Sequence, residues 1–503
     1  MNLRAKSLIS AILIFLIPYS LSFAYNEKEE MAIRAIHRWQ MSEAEDIILS
    51  IQTPSPYLVG IYEFNRGNYS KAYEALKKSS HKSKLQNLTE KLSAYEKIFE
   101  EKSSKYFKVR YTGQDRILAE YLIDIIDDAA EIIYEKFGWL PKNEKVLLEI
   151  YPDRSSFQLA SGLTETQIEV SGAIGICRYN RMIIASPRIL IFGYTWPDTV
   201  IHEYVHYVIA KITGLTNMPL WLNEGLATSM EEKWKEKERR TGLSPKQKNI
   251  LRETAKDGNW VALEKMKHGM PNLDSRREVA VAFAQVQSMT EYIIAKYGWR
   301  SVKNLLEKLY DYPPQEAFNS VFEKSQEEIK NKWSKYISEK EIKHTDGALL
   351  KSYALKGEDT GEVREWVSET AETDIRIARM FLERGSYEPA IRKYKDALNK
   401  EPGNSVIINE LARAQVQAGK KEKAKRNLFE AVKNNPSYAP PYLHLGRILY
   451  NRRDFSEAEK MIKEYIYRSP FNPEAHRKLA AIKDKLGDQA GADRALEHAG
   501  MLK

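Results

Sequence analysis

Cysteine is nearly absent from this chain. Cys177 is the only one in 503 residues, so no internal disulfide can staple the protein and its folded units must stand on their cores. The same scarcity removes the sulfur ligands that usually close a structural zinc site. Long apolar runs are missing too: the stretch from Leu8 to Ile17 is about half of the roughly 20 residues a spanning helix needs, and Pro18 cuts it off. Charge of one sign is also in short supply. The 78 Lys and Arg stand against 69 Asp and Glu, and the net +9 is diluted through mixed stretches such as EEKWKEKERR from Glu231 to Arg240. Interleaving of this kind makes solvated helix faces, and no nucleic-acid partner is expected. With 43% hydrophobic residues and room for about three domains, wholesale disorder and a polytopic membrane protein are both excluded.

What is present begins at the N-terminus. Arg4 and Lys6 precede the apolar run, and Pro18 leads through a polar patch to Ser22-Phe23-Ala24, with small residues where signal peptidase requires them. Residues 1–24 are read as a cleaved secretory signal, cut after Ala24, so a periplasmic or secreted location without a stable transmembrane anchor is expected. No cysteine follows the cleavage point, which excludes a lipid-modified cysteine as tether. Asn68-Tyr69-Ser70 and Asn87-Leu88-Thr89 match the glycosylation acceptor pattern, but motifs this short recur by chance.

Residues 371–503 repeat with a period of 34. Gly385, Gly419 and Gly487 share one grid with Arg453 in the missing slot, and Pro402, Pro436 and Pro470 keep the same period. Ala390, Ala424, Ala458 and Ala492 recur five residues after the Gly slot. A small residue there lets two antiparallel helices approach, the Gly slot permits the turn between them, and the Pro ends the second helix. Phe381, Tyr394, Leu411, Leu428, Leu445, Ile462, Leu479 and Leu496 fall at helical spacing and are expected to fill the stacked core. In period and residue types the tail resembles the tetratricopeptide (TPR) family, which implies an α-solenoid of about four repeats whose groove takes a protein partner. A fainter copy lies at the front: Gly60, Gly67, Ala72 and Leu76 keep the offsets of Gly446, Arg453, Ala458 and Ile462, and MSEAEDII from Met41 resembles FSEAEKMI from Phe455. Residues 25–103 are therefore read as a TPR-like helical segment of about two degenerate repeats and a closing helix.

Between the arrays the pattern changes. Tyr106–Tyr111 and Lys145–Tyr151 read as short strands, Gln114–Phe137 as a long amphipathic helix, and Gly172–Cys177 with Arg181–Ala185 as a strand pair turning at Tyr179-Asn180. After Ala185 the segment is helical in pattern. Residues 104–345 are thus expected to form an α+β unit, joined to the tail by a linker at 346–370.

The chemistry lies in this unit. His202-Glu203-Tyr204-Val205-His206 is an H-E-x-x-H on a helix whose start is marked by Thr195 as capping hydroxyl, Pro197 in the first turn and Asp198 three residues after the Thr. Histidines at i and i+4 project from one face and can chelate a single ion, with Glu203 directed at the water that ion would hold. The pentapeptide alone is weak, but Pro219-Leu220-Trp221-Leu222-Asn223-Glu224-Gly225-Leu226-Ala227 comes next, placing Glu224 18 positions after His206 on the next helix. Three protein ligands with one open position describe a catalytic zinc site, and Glu224 supplies the third. Thr228, one turn beyond, is either a brace for a ligand histidine or an ordinary helix threonine.

His202, Glu203, His206 and the N-E-G-L-A around Glu224 resemble the gluzincin metallopeptidases, specifically the small peptidase-MA-like domains related to the aminopeptidase and thermolysin clans. The resemblance covers residues 104–345. It implies zinc held by His202, His206 and Glu224, with Glu203 as general base, and an active-site helix under a small sheet whose edge strand aligns extended peptide. The whole is then multidomain and mainly α, an α+β metallopeptidase domain flanked by an N-terminal TPR-like helical segment and a C-terminal TPR α-solenoid. Two departures stand out. Where the aminopeptidase branch has an oxyanion-binding Tyr, the stretch from Val279 places Phe283, which has no donor; His268, Tyr292 and Tyr297 are the available substitutes. The segment Ser171–Ile176 also lacks the acid that grips a substrate's free amine, which favours internal bonds over terminal ones. The expected activity is an exported zinc endopeptidase acting on protein or peptide substrates recruited by the repeats. The alternative is a cell-envelope scaffold whose metallopeptidase-like domain has weak or no activity.

Overall fold

Hydrophobic periodicity and turn residues translate, among the described residues of a computed structural model, into 23 α-helices around one small mixed sheet. The structure describes residues 27–79, 83–142, 144–190, 192–231, 242–267, 269–348 and 367–502. The expected export signal, most of the linker and His268 lie outside these residues. The N-terminal helices are α1 (Glu27–His37), α2 (Met41–Leu49), α3 (Pro56–Asn65), α4 (Tyr69–Lys77) and α5 (Lys84–Glu96). The central elements are β1 (Glu100–Ser103), β2 (Phe107–Tyr111), α6 (Arg116–Phe137), β3 (Val146–Tyr151), α7 (Arg154–Ser161), α8 (Glu165–Ser171), β4 (Gly175–Arg178) and β5 (Arg181–Ala185). Then come α9 (Trp196–Thr213), α10 (Leu220–Met230), α11 (Pro245–Asp257), α12 (Leu263–Met266), α13 (Arg276–Lys308), α14 (Pro314–Phe322) and α15 (Gln326–Glu339). The tail pairs α16 (Glu369–Glu383) with α17 (Tyr387–Lys400), α18 (Ser405–Gln417) with α19 (Lys421–Asn434), α20 (Pro440–Asn451) with α21 (Phe455–Ile466), and α22 (Pro473–Lys485) with α23 (Gln489–Met501).

The sheet runs β1-β2-β3-β5-β4, parallel at β2/β3 and β3/β5 and antiparallel at its two rims. Alternation along its central strands sends residues to two different cores. Val109, Leu148, Ile150, Met182 and Ile184 join the large core with α6 and α9, whereas Tyr151, Ile183 and Ala185 pack against Phe64, Tyr69 and Leu92 of the N-terminal helices. On that second face Glu149 and Arg181, both fully buried, pair at 3.3 Å, and Tyr69 donates to the same carboxylate. Arg181 Nη1 also donates to the Phe64 carbonyl (2.9 Å) and Arg110 Nη1 to the Gly67 carbonyl (2.5 Å), so the front helices are bolted to the sheet by charge-assisted bonds.

Both helical arrays use one packing device. A Cβ on Gly446 would lie 2.5 Å from Ile462 Cδ1, and a Cβ on Gly60 would lie 2.5 Å from Leu76 Cγ, so the paired offsets seen in the sequence are the same close helix approach at the two ends of the chain. The turn slot demands a left-handed backbone: Gly67, Gly385, Gly419 and Gly487 have positive φ, and Arg453 takes the same conformation at φ +64. Trp39, five residues before the buried Ala44, sits in the equivalent turn at φ +57.

Some expectations need correction. Residues 100–103, read as part of a helical segment, form β1; the polar sequence EEKS lies on the rim, where only β2 binds it and no core face marks it as a strand. The first strand of the hairpin starts at Gly175, because Gly172 ends α8 in a left-handed cap. The turn at Tyr179-Asn180 has φ +56 and +58, the primed geometry that two-residue hairpins prefer. Leu496 is 53% exposed, on a part of α23 away from the face that meets Tyr121 of α6 through His498, and Phe381 is only half-buried.

Candidate metal centre

α9 begins with Trp196 and Pro197 and stops at Gly214, whose left-handed backbone lets its N–H reach the Ala210 carbonyl. The expected cap does not form: Thr195 occupies the N-cap position, yet its hydroxyl accepts no cap bond, while, one residue on, the Trp196 N–H donates to the Tyr467 carbonyl of the tail (3.2 Å). α10 is brought close to α13 at Gly225, where a Cβ would lie 2.6 Å from the Val286 carbonyl and would overlap Thr290. The glycine after Glu224 is therefore a packing requirement, and it sets the Glu224 carboxylate against α9.

His202, His206 and Glu224 converge, with ligand atoms all within 4.8 Å of one another. The two Nε2 atoms are 3.0 Å apart, and Glu224 Oε2 stands 3.5 Å from His202 Nε2 and 3.7 Å from His206 Nε2. Tetrahedral zinc with bonds of about 2.0–2.1 Å wants its ligands roughly 3.3 Å apart, so the spacing fits. The outer nitrogens explain the polarity. His202 Nδ1 faces Glu231 Oε1 at 2.7 Å and His206 Nδ1 faces Asn223 Oδ1 at 2.9 Å, so each Nδ1 carries the proton and each Nε2 offers a lone pair. In that tautomer two lone pairs and a carboxylate point at one spot, and a cation satisfies all three.

The same convergence draws positive charge, a proton where no metal sits: both histidines are held above their usual pKa by the carboxylates around them. Burial would lower the His202 pKa, but Glu224 and Glu231 outweigh it and hold it well above its usual value. Burial would raise that of Glu224, and the two histidines drive it far below the carboxylate range. Glu203 is 5% exposed, and burial raises its pKa against the opposing influence of both histidines. One of its oxygens, Oε2, is buried with no hydrogen-bond partner among the described residues. Strand β4 passes over it, for a Cβ on Gly175 would lie 2.6 Å from Glu203 Oε1.

Other sequence candidates fare differently. The Thr228 hydroxyl is buried without a partner among the described residues and braces neither histidine. Asn223 and Glu231 do the bracing and were missed, although their signals were legible: Asn223 directly precedes Glu224, and Glu231 comes seven residues after it, two turns along the same face. Phe283 is half-buried against the large core, on the α13 face that also carries Val286 and Thr290. Tyr292 accepts from Lys296 and stacks on Tyr336 of α15, while Tyr297 stacks on Phe322 of α14, so both serve packing. Cys177 is partly buried on β4 and is not among the metal-site atoms.

Residues 138–339 match the Peptidase MA superfamily, so the chain carries a Peptidase MA superfamily domain there. The match opens at Gly138, the cap of α6, and so leaves out β1, β2 and α6, which complete the sheet unit. Among solved structures, the chain is similar to MamA residues 41-end from Desulfovibrio magneticus RS-1, with 19% identity over 27% of this chain and 77% of that one and a TM-score of 0.26. It is also similar to the first TPR of Spaghetti (RPAP3) bound to the HSP90 peptide SRMEEVD, with 26% identity over 24% of this chain and 98% of that one and a TM-score of 0.24. No curated protein matches the chain.

Proposed function

We propose that the protein is an exported zinc-dependent endopeptidase whose C-terminal repeats engage protein substrates or a protein partner. The observation that carries the reading is the convergence of His202 Nε2, His206 Nε2 and Glu224 Oε2 on one point. When bound, zinc would acidify a water and polarise the scissile carbonyl. The chain's own residues do the rest. Glu203 takes the proton from the attacking water and returns it to the leaving amine, and its raised pKa, set by burial, brings it nearer the working pH. Glu231 and Asn223 hold the histidine rings in the tautomer the site needs. The rim strand β4 leaves one edge unpaired beside Glu203, and its Gly175-Ile176-Cys177-Arg178 has no acid for a free amine, which supports internal cleavage. The exported location rests on the sequence of residues 1–24 alone. The protein partner rests on the four helix pairs of the tail.

Glu203→Gln is the direct test. Wild type should bind about one zinc and cleave an unfolded protein in a chelator-sensitive manner, while Glu203→Gln keeps the metal and loses at least a hundredfold in rate. The scaffold reading draws on Phe283, which supplies no oxyanion donor; zinc bound by the wild type without chelator-sensitive cleavage would decide for it.

A further inference from the structure

The first turn of the helix bearing His202, Glu203 and His206 is completed by the C-terminal array. At Trp196 the backbone N–H donates to the Tyr467 carbonyl (3.2 Å) and the indole N–H to the Ile466 carbonyl (3.4 Å). Helix starts leave backbone N–H groups without intrahelical partners, and the turn after α21 supplies one for the first of them, at Trp196, while the Thr195 hydroxyl caps none. Gly193 lies so close to the Arg468 carbonyl that any Cβ would overlap it, so the approach is backbone to backbone. Around it Phe192 packs edge-on against Tyr438 at 5.2 Å, and Arg188 lies 3.6 Å above the Phe471 ring. The same loop is tied to the sheet unit from the other side, because Asp115 accepts from Ser186 Oγ (2.7 Å) and Arg188 Nε (3.3 Å).

Arg468 holds the shape of that turn. Its side chain is 5% exposed; Nε donates to the Pro436 carbonyl (2.7 Å), Nη1 donates to the Glu464 carbonyl and carboxylate (2.5 Å each), and the guanidinium lies 4.3 Å over the Tyr442 ring. Burial opposes its charge, and Tyr442, Glu464 and Asp198 of the first turn of α9 more than offset this. A guanidinium enclosed in this way has little freedom, and the carbonyls of residues 466–468 belong to the chain it pins.

We propose that Arg468 is a positioning residue for α9: by fixing the carbonyls that receive Trp196 it sets the first turn of the active-site helix, which makes the C-terminal array part of the catalytic framework. The consequence for chemistry rests on the metal-centre reading, but the mechanical claim does not. Tethered recruitment modules can be displaced without touching a distant active site; this one cannot.

The test compares full-length wild type, Arg468→Gln, Arg468→Lys and Leu479→Ala. Leu479 is 3% exposed in the tail core and remote from the 186–195 loop in sequence and core membership, so its truncation weakens the array without removing the pin. Amide hydrogen exchange at residues 200–205 in metal-free protein, zinc affinity by chelator competition, and melting temperature are measured on each. Arg468→Gln is expected to speed exchange in the first two turns of α9 by about tenfold or more and to weaken zinc binding several-fold. Arg468→Lys, which keeps a charge beside Asp198, recovers part of both, and Leu479→Ala at an equal loss of melting temperature changes neither by more than about twofold. Exchange in Arg468→Gln that equals wild type, or equals Leu479→Ala at matched stability, overturns the proposal. Selective loosening of α9 in a protein whose wild type takes up no zinc would keep the positioning role and remove the metal reading; zinc binding with no loosening would do the reverse.

Discussion

Adding one methyl group at Gly175 tests whether Glu203 works from the position it holds here. The φ of Gly175 lies outside the left-handed region, so alanine meets no backbone strain and its whole effect is steric. The new Cβ would sit 2.6 Å from Glu203 Oε1, 2.8 Å from Thr199 Cγ2 and 3.0 Å from Glu203 Cγ, against ordinary contacts of about 3.4–4 Å. Strand β4 is held by the pairing of Gly175 with Ile184, which is itself fully buried, and α9 is locked by Tyr204 and Val205, both fully buried. The carboxylate is the movable party, and it must shift by roughly 0.8–1 Å. Displacement on that scale costs on the order of a hundredfold in rate, about 2.7 kcal/mol of barrier, with about 1–3 kcal/mol of stability lost to overpacking. His202 and His206 are untouched, so metal content should stay at the wild-type level. Steady-state hydrolysis of an unfolded protein, run beside metal analysis and thermal melting, reads all three quantities. A Gly175→Ala enzyme within threefold of wild type would refute Glu203 as the proton carrier in this pose. Loss of metal along with activity would show instead that β4 supports the ligands.

Other perturbations reach different layers of the structure. Glu231→Ala removes the carboxylate 2.7 Å from His202 Nδ1 and should weaken zinc binding by about 10–100-fold, measured by chelator competition, with little change in melting temperature of the metal-free protein. Arg453→Gly relieves a side chain held at φ +64; the left-handed penalty of about 1–2 kcal/mol exceeds the added chain entropy of glycine, so the urea midpoint of the full-length protein should rise by an amount worth about 0.5–1 kcal/mol. His476, fully buried between Tyr121 Oη at 3.0 Å and the Pro470 carbonyl at 2.6 Å, has its pKa lowered by burial to about 4. The native state therefore binds fewer protons than the unfolded chain, and stability is lost as pH falls from about 6.5 through 4, by about 3 kcal/mol when complete. His476→Gln should flatten that slope in urea titrations across pH 7 to 4.5, and an unchanged slope would show that other groups carry it.

Features whose causes are local were legible along the chain. The 34-residue grid shows because each helix pair needs the same small residue at Ala390, Ala424 and Ala458 and the same left-handed turn, and that demand repeats wherever the pair repeats. It was even readable in the worn copy, where Gly60 and Leu76 make the contact that Gly446 and Ile462 make. His202 and His206 were readable because a helix places i and i+4 on one face, and Glu224 because it stands 18 residues after His206 in the Asn223-Glu224-Gly225-Leu226-Ala227 stretch of the next helix. Where expectation failed, the cause came from a distant segment. β1 is a polar strand only because β2 offers it an edge. The start of α9 looked complete with Thr195 as cap, yet that hydroxyl caps nothing and the first N–H, of Trp196, goes to Tyr467; no local pattern announces a carbonyl from so distant a segment.

By itself, then, the sequence determined the helix pairs and the helix face that carries His202 and His206, since each depends on spacing within one or two turns of backbone. Only the tertiary structure decided that Glu231 and Asn223 orient the two rings, that Gly175 brings β4 onto Glu203, and that Arg468 stands behind the first turn of α9. Those relations join side chains of helices and strands that are separate in sequence, and a periodic pattern records which face of an element is buried but not what it is buried against.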